Sequence, residues 1–195
     1  MLFRQNYLII WVVLILAGCA THNAFEVAQD QVDGIGAIHQ VSFMGRLVVA
    51  DNDHSDSGSI EWRGDFVQQQ VVLLSPLGTT IAELTHRPDQ TQLSLSSDRV
   101  VSASNVEEVT NQMLGYPLPL DGMPWWILGL TWPDTAGEIT HDKEGRVLTV
   151  KQDDWLVSYG QWQNINGQWL PKRISLTQGG IKIRIIVDRW HIVRR

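Results

Sequence analysis

The chain has 195 residues, with 15 Lys and Arg against 21 Asp and Glu, which gives a formal net charge of −6. This negative balance argues against nucleic-acid binding and against attachment to an anionic membrane through a polybasic patch. The single cysteine excludes a disulfide within the chain, so the fold must rest on its core alone.

The first 18 residues have the order of a secretory signal. Arg4 precedes an apolar run over residues 7–16, which is shorter than the roughly 18 residues of a membrane-spanning helix. The run leads into Leu16-Ala17-Gly18-Cys19, a motif at which bacterial lipoprotein precursors resemble one another. The resemblance implies that residues 1–18 are cleaved off and that Cys19 carries S-diacylglycerol and N-acyl groups. An ordinary signal peptide with an incidental cysteine is the alternative.

After the signal, we expect a lipidated tether over residues 19–23 and a single domain over residues 24–195. Apolar residues at helical spacing from Phe25 to Ile35 predict a first amphipathic helix. From Val41 to Val49 the apolar residues alternate, which predicts a strand. Further strands are predicted over residues 59–62, 67–74, 80–85, 92–95 and 100–103, separated by polar turns of which 51–58 is the longest.

A helical segment interrupts the strands. Asn105 and Glu108 have capping-box spacing, and the helix that they predict over residues 106–114 ends at Gly115. Pro124 favours a second short helix over residues 125–128. Strands are again predicted over residues 138–140, 147–151, 155–163, 169–177 and 181–191.

These elements predict a mainly β protein with short helices. About ten antiparallel strands make a sheet too large to stay flat, so we expect an incomplete barrel, or half-barrel. The three predicted helices would then bury their apolar faces against its open side.

Residues for catalysis or metal binding are not evident in the sequence. The six histidines lack metal-ligand spacing, and there is no Gly-x-Ser-x-Gly motif. A calcium loop starting at Asp53 fails at its twelfth position, where Gly64 replaces a carboxylate. We therefore predict no enzyme activity, no catalytic residue, no metal and no cofactor.

Two apolar stretches lie where polar residues are usual. Leu77 occupies the turn of residues 75–78, where it either tucks into the core or projects as an apolar tip. The segment 114–130 is almost uncharged, and it is equally consistent with a core helix and with a movable lid over a cavity.

Taken in order, the motifs of this chain resemble the LolB family of outer-membrane lipoprotein receptors. The resemblance covers most of the sequence after the signal, and four tryptophans (Trp125, Trp132, Trp162 and Trp169) have no match in it. The matching pieces are Gly45-Arg46, Trp62, residues 75–78 with Glu83-Leu84, residues 105–108, Leu118-Pro119-Leu120, residues 126–130, Trp155 with Tyr159-Gly160, Leu176-Thr177 with residues 179–182, and Asp188-Arg189-Trp190.

The resemblance implies a fold shared with the periplasmic carrier LolA and a role in lipoprotein transport. A monomer anchored in the outer membrane, facing the periplasm, would take lipoprotein cargo from LolA and insert it into outer-membrane lipid. Leu77 matches the exposed leucine that serves insertion in the family. A lipid-anchored scaffold without acyl binding, or an exported hydrolase, is the alternative. The candidate cavity or lid residues are Trp62, Leu118, Leu120, Trp126, Ile127, Leu128 and Trp155.

Overall fold

The structure is a computed structural model that describes residues 38–97 and 99–194, and it consists of one large sheet and two helices. The predicted signal, Cys19, the tether and the predicted first helix lie outside the described residues. The elements are β1 (Ile38–Ala50), β2 (Ser55–Gly64), β3 (Gln69–Leu74), β4 (Thr80–Arg87), β5 (Gln90–Leu95), β6 (Val100–Ala103), α1 (Val106–Leu114), α2 (Met123–Trp126), β7 (Gly137–His141), β8 (Val147–Gln152), β9 (Trp155–Ile165), β10 (Gln168–Gln178) and β11 (Ile181–Arg194).

All eleven strands belong to a single antiparallel sheet in the order β6-β5-β4-β3-β2-β1-β11-β10-β9-β8-β7. The first and last strands therefore pair with each other in the middle of the sheet, and the edges β6 and β7 both come from the middle of the chain. Because the chain between β6 and β7 is the helical segment, the helices lie where the sheet stays open.

Successive side chains of each strand point to opposite faces of the sheet, and those on the inner face form the core. In β11, Ile183, Ile185 and Val187 are buried. On the paired strand β1, the Phe43 ring lies 5.2 Å from the Trp190 ring and stacks on Trp62 at 5.8 Å between centroids. These aromatic contacts join three neighbouring strands on the inner face.

The contacts of the helical segment demonstrate that the sheet is curved. Five strands separate β3 from β8, so in a flat sheet these two would lie about 29 Å apart. Nevertheless, Gln69 of β3 donates a hydrogen bond to the Leu120 carbonyl, and Gln152 of β8 accepts one from Trp126, only six residues further along. The sheet must therefore wrap around its inner face, and the helical segment spans the remaining gap.

Helix α1 follows its local sequence signals. The Asn105 side chain accepts a hydrogen bond from the Glu108 backbone N–H at 3.0 Å, and Gly115 ends the helix at φ 87°. A residue with a side chain rarely adopts that left-handed conformation, which explains the glycine. The predicted bounds, 106–114, are confirmed.

One polar turn is shorter than the sequence predicts. Residues 51–58 read as a loop, but β2 already begins at Ser55, and its first residues pair with the end of β1, Ala50 with Ser55 and Val49 with Asp56. Pairing with a long neighbouring strand outweighs the weak strand propensity of Ser, Asp and Gly in this stretch.

Candidate functional site

Leu77 projects from the tip of the β3–β4 turn. The turn is closed by backbone hydrogen bonds from Ser75 to Thr79 at 2.8 Å and from Gly78 to Ser75 at 2.9 Å. Gly78 has φ 84°, and the Leu77 side chain is 95% exposed. Of the two alternatives that the sequence left open, the structure has the apolar tip.

The candidate cavity and lid residues all lie together in the interior. They come from β2, β9 and the helical segment, and each is at most 7% exposed. The Trp126 and Trp155 rings are 6.4 Å apart, so the underside of α2 meets the first residue of β9. The members of this core cluster are Trp62, Leu118, Leu120, Trp126, Ile127, Leu128 and Trp155.

Two buried glutamines attach the helical segment to opposite halves of the sheet. Gln69 accepts a hydrogen bond from the Trp62 indole at 3.1 Å and donates one to the Leu120 carbonyl at 2.6 Å. Gln152 accepts from the Trp126 indole at 2.9 Å and from the Trp132 backbone N–H at 2.8 Å. Each glutamine thus satisfies polar groups that would otherwise be unpaired in an apolar interior.

Two further polar contacts hold the same segment. His86 is buried, and its Nε2 lies 2.9 Å from the Asp121 carboxylate. The Tyr159 hydroxyl donates a hydrogen bond to the Trp126 carbonyl at 2.7 Å, and burial raises the pKa of Tyr159 well above its ordinary value. The sequence does not predict a role for His86, Gln69 or Gln152. An isolated polar residue in a strand has no neighbouring pattern that would identify its hydrogen-bond partner.

Near the start of α1, a buried indole N–H and a carboxyl group lie side by side. Trp155 is buried, and its indole N–H has no well-aligned hydrogen-bond partner among the described residues. The Glu107 carboxyl lies beside it. Desolvation raises the pKa of Glu107, the charges of Asp121 and Asp153 add to the effect, and the Trp155 indole opposes it. A carboxyl group is therefore held partly desolvated at the rim of an aromatic interior.

The candidate site is an apolar interior lined by aromatic and aliphatic side chains, and such an interior suits the burial of apolar groups. Within residues 38–97 and 99–194, no group of three or more His, Cys, Asp or Glu is placed to hold a metal ion. No helix in the same part of the chain is long and apolar enough to cross a membrane.

Comparison with known proteins identifies the family. The family model described as "Outer membrane lipoprotein LolB" matches residues 39–190, well over half of the chain. The chain belongs to the LolB family. It is 32% identical over 193 residues to the outer-membrane lipoprotein LolB of Nitrosomonas europaea, covering 93% of this chain and 90% of the relative. With LolB of Pseudomonas fluorescens the identity is 27% over 198 residues and the coverage 97% of each chain.

Solved structures show the same fold at much lower identity. A LolA superfamily protein from Nitrosomonas europaea aligns with a TM-score of 0.56 at 10% identity, covering 90% of this chain and 96% of its own. A DUF1329 family protein from Desulfovibrio piger aligns with a TM-score of 0.53 at 9% identity, covering 88% and 94%. The unclosed antiparallel sheet with short helices is thus a fold that this chain shares with both of these proteins.

Membership of the LolB family establishes the broad role of this chain. It is an outer-membrane lipoprotein that acts as a non-enzymatic lipoprotein receptor. The predictions of family, fold and outer-membrane location are confirmed.

Proposed function

We propose that this LolB-family receptor accepts lipoproteins from the periplasmic carrier LolA, holds their acyl chains beneath its helical segment and inserts them into the outer membrane. The observation that carries the proposal is the open side of the sheet. The two edge strands β6 and β7 are joined through residues 104–136, and most of the large apolar side chains of this segment are buried or packed against the core. A cover of this kind can move without breaking the hydrogen-bonded ladder of the sheet.

The interior suits acyl chains because it is apolar and its contacts are non-directional. Burial of one CH2 group contributes about 0.8 kcal/mol, so two or three acyl chains cannot cross an aqueous periplasm unshielded. Trp62, Trp126 and Trp155 supply large rigid apolar surfaces on both sides of the interior. Such surfaces hold chains of different cargo proteins equally well, since they read no feature of the attached polypeptide.

Acceptance of a chain requires the cover to separate from the sheet. In the structure the candidate residues pack against one another, and the segment is held by the hydrogen bonds of Gln69, His86, Gln152 and Tyr159. Acyl chains would replace the apolar contacts that the cover loses on opening. The proposed binding residues are therefore the same seven that the sequence indicated.

Leu77 and Cys19 would act at the membrane. An almost fully exposed leucine at the tip of a polar turn gains free energy when it enters the interfacial region of a bilayer. Lipids on Cys19 would keep the receptor at the membrane that receives the cargo, and Ala20 lacks the aspartate associated with retention in the inner membrane of enteric bacteria. We therefore assign membrane insertion to Leu77 and anchoring to Cys19.

A reconstituted transfer reaction tests the proposal. The full lipidated chain is placed in phospholipid vesicles, and LolA loaded with a lipoprotein is added in solution. We expect cargo to leave LolA and to float with the vesicles at a rate that rises with receptor density. Vesicles without the receptor provide the baseline.

The competing interpretation makes a different prediction for the same reaction. A lipid-anchored scaffold that does not bind acyl chains would leave the cargo on LolA at the baseline rate. Cargo captured by the receptor only when its acyl chains are present supports the proposal, whereas equal capture of unacylated cargo contradicts it.

A further inference from the structure

A small apolar cavity lies directly below the Leu77 turn. Its volume is about 50 Å³, and Leu73, Leu74 and Ile81, which flank that turn on β3 and β4, form one side of it. Leu47 and Val49 of β1 form another side, and the start of β2 completes the rim. The cavity therefore lies between the inner face of the sheet and the strand ends that flank the turn carrying Leu77.

The apolar residues of the walls outline a path from the core toward the surface. Leu47, Val49 and Leu73 are buried members of the core, whereas Ile81 at the outer end is 42% exposed. Leu77, only three residues beyond Leu74, is the most exposed large apolar side chain described. An apolar chain in this cavity would contact Leu47, Val49 and Leu73 at its buried side and Ile81 at its exposed side.

Tyr116 is the residue of the helical segment that lines this cavity. It lies in the link between α1 and α2 and is half-buried. Burial raises the pKa of its hydroxyl, and the charge of Asp56 across the cavity adds to the effect. The aromatic ring thus lies across the space between the link and the sheet.

The contacts of the cover are distributed unevenly. Its later part is hydrogen-bonded to the sheet through Leu120, Asp121, Trp126 and Trp132. Within the described residues, the Tyr116 side chain makes no hydrogen bond, so apolar packing alone holds the link against the sheet at this point. The cover can therefore yield at Tyr116 while its other attachments stay intact.

We propose that the acyl chains of a bound lipoprotein leave the interior through this cavity, with Tyr116 as the gate and Leu77 marking its outlet at the membrane. The proposal rests on the function argued above and specifies the route. The gap widens when Tyr116 swings away, and the chain then passes between the link and the inner faces of β1 and β3. Its occupant is an acyl chain of the cargo, because the cavity walls Leu47, Val49 and Leu73 belong to the same core cluster as the residues that would hold the cargo chains.

Photo-crosslinking tests the route in the vesicle-bound full chain. Benzoylphenylalanine is placed at Tyr116, and in a second protein at Trp169, an aromatic residue near the start of β10 that is 42% exposed. LolA is loaded with a lipoprotein whose acyl chains carry a tritium label. We expect light to attach the label at position 116 during transfer and to attach little at position 169.

A matched pair of substitutions tests the gate. Tyr116→Ala removes the ring and should raise the rate at which bound cargo enters vesicles several-fold, with uptake from LolA changed less. Trp169→Ala removes an aromatic ring from the exposed side of β10, away from the cavity and the cover, and it should leave the insertion rate close to that of the unsubstituted chain. Circular dichroism and urea unfolding establish that both proteins are folded at the assay temperature.

Three results would overturn the route. The first is labelling at position 169 with none at 116 while transfer proceeds, and the second is an unchanged insertion rate in the folded Tyr116→Ala protein. The third is labelling at 116 by tritiated vesicle phospholipid without cargo, which would assign the path to membrane lipid. Failure of the receptor function itself looks different, since cargo would then stay on LolA even with the unsubstituted chain.

Discussion

The carboxamide oxygen of Gln152 accepts a hydrogen bond from the indole nitrogen of Trp126 over 2.9 Å in a buried environment. The same oxygen accepts from the Trp132 backbone, while the Gln152 amide nitrogen donates to the Trp132 and Thr135 carbonyls. One side chain of β8 therefore positions both α2 and the chain that follows it. The closed arrangement of the cover depends on a residue that belongs to the sheet.

Gln152→Leu should destabilise the protein by about 3 kcal/mol, because it leaves several buried donors and acceptors without partners. The free energy of unfolding in urea measures the effect. Gln163→Leu is the matched control, since the buried Nε2 of Gln163 has no hydrogen-bond partner among the described residues. We expect that substitution to be neutral or stabilising, and equal losses for the two proteins would contradict the assignment.

Leu77→Glu should leave stability and uptake from LolA unchanged and should slow the insertion of cargo into vesicles at least several-fold. A charged tip loses the apolar contribution of Leu77 at the bilayer, and the 95% exposed side chain makes little contact with the fold. Val67→Glu introduces the same charge in another turn, at a residue that is 64% exposed. If Val67→Glu slows insertion as much, net charge rather than the Leu77 tip is responsible.

Glu107→Gln should stabilise the protein at neutral pH. Desolvation raises the pKa of Glu107 in the folded state, so above the ordinary value of 4.5 the unfolded chain gives up its proton first and stability falls as pH rises. The glutamine protein lacks this loss, and its advantage should be less than about 1 kcal/mol because the group is partly solvated. Below pH 4.5 the advantage should disappear.

Urea unfolding of both proteins between pH 3.5 and pH 7 measures this difference. Glu108→Gln is the control, because Glu108 is an exposed neighbour in the same first helical turn and has the same favourable position near the helix N-terminus. An advantage of Glu107→Gln that does not depend on pH would contradict the desolvation argument.

Gly122→Ala should cost about 1–3 kcal/mol, since the added Cβ would overlap the buried Trp126 ring. The ring cannot retreat without losing its hydrogen bond to Gln152. Thermal unfolding and the tryptophan emission spectrum report the change. Gly160→Ala is the comparison, because its Cβ would meet only Arg173 side-chain atoms at 3.9 Å or more, and a similar loss there would point to a general cost of replacing glycine.

Local signals explain how much of the fold the sequence predicts. Asn105, Glu108 and Gly115 act within a few residues, so the bounds of α1 follow from them. Alternating apolar residues likewise identify the strands. The early start of β2 at Ser55 depends on pairing with β1, which no local pattern records.

The candidate site divides in the same way. Bulky apolar residues such as Trp126 and Leu120 make the segment apolar in composition, which predicts that it is buried. The family resemblance identified Leu77 as a candidate residue. Gln69 and Gln152 act on partners 51 and 26 residues away, so only the folded chain reveals them. The sequence likewise does not predict that Tyr116 lines a cavity, because its position depends on how the link crosses the sheet.

The pairing of β1 with β11 sets a condition on biosynthesis. The strand of 13 residues that starts the sheet finds its partner only when the last 14-residue strand has been made and exported. Contacts so distant in sequence form slowly, and until they form β1 presents a bare edge in the middle of an apolar surface. Loss of the final strand by truncation or proteolysis would therefore divide the sheet at its centre and release two unpaired halves.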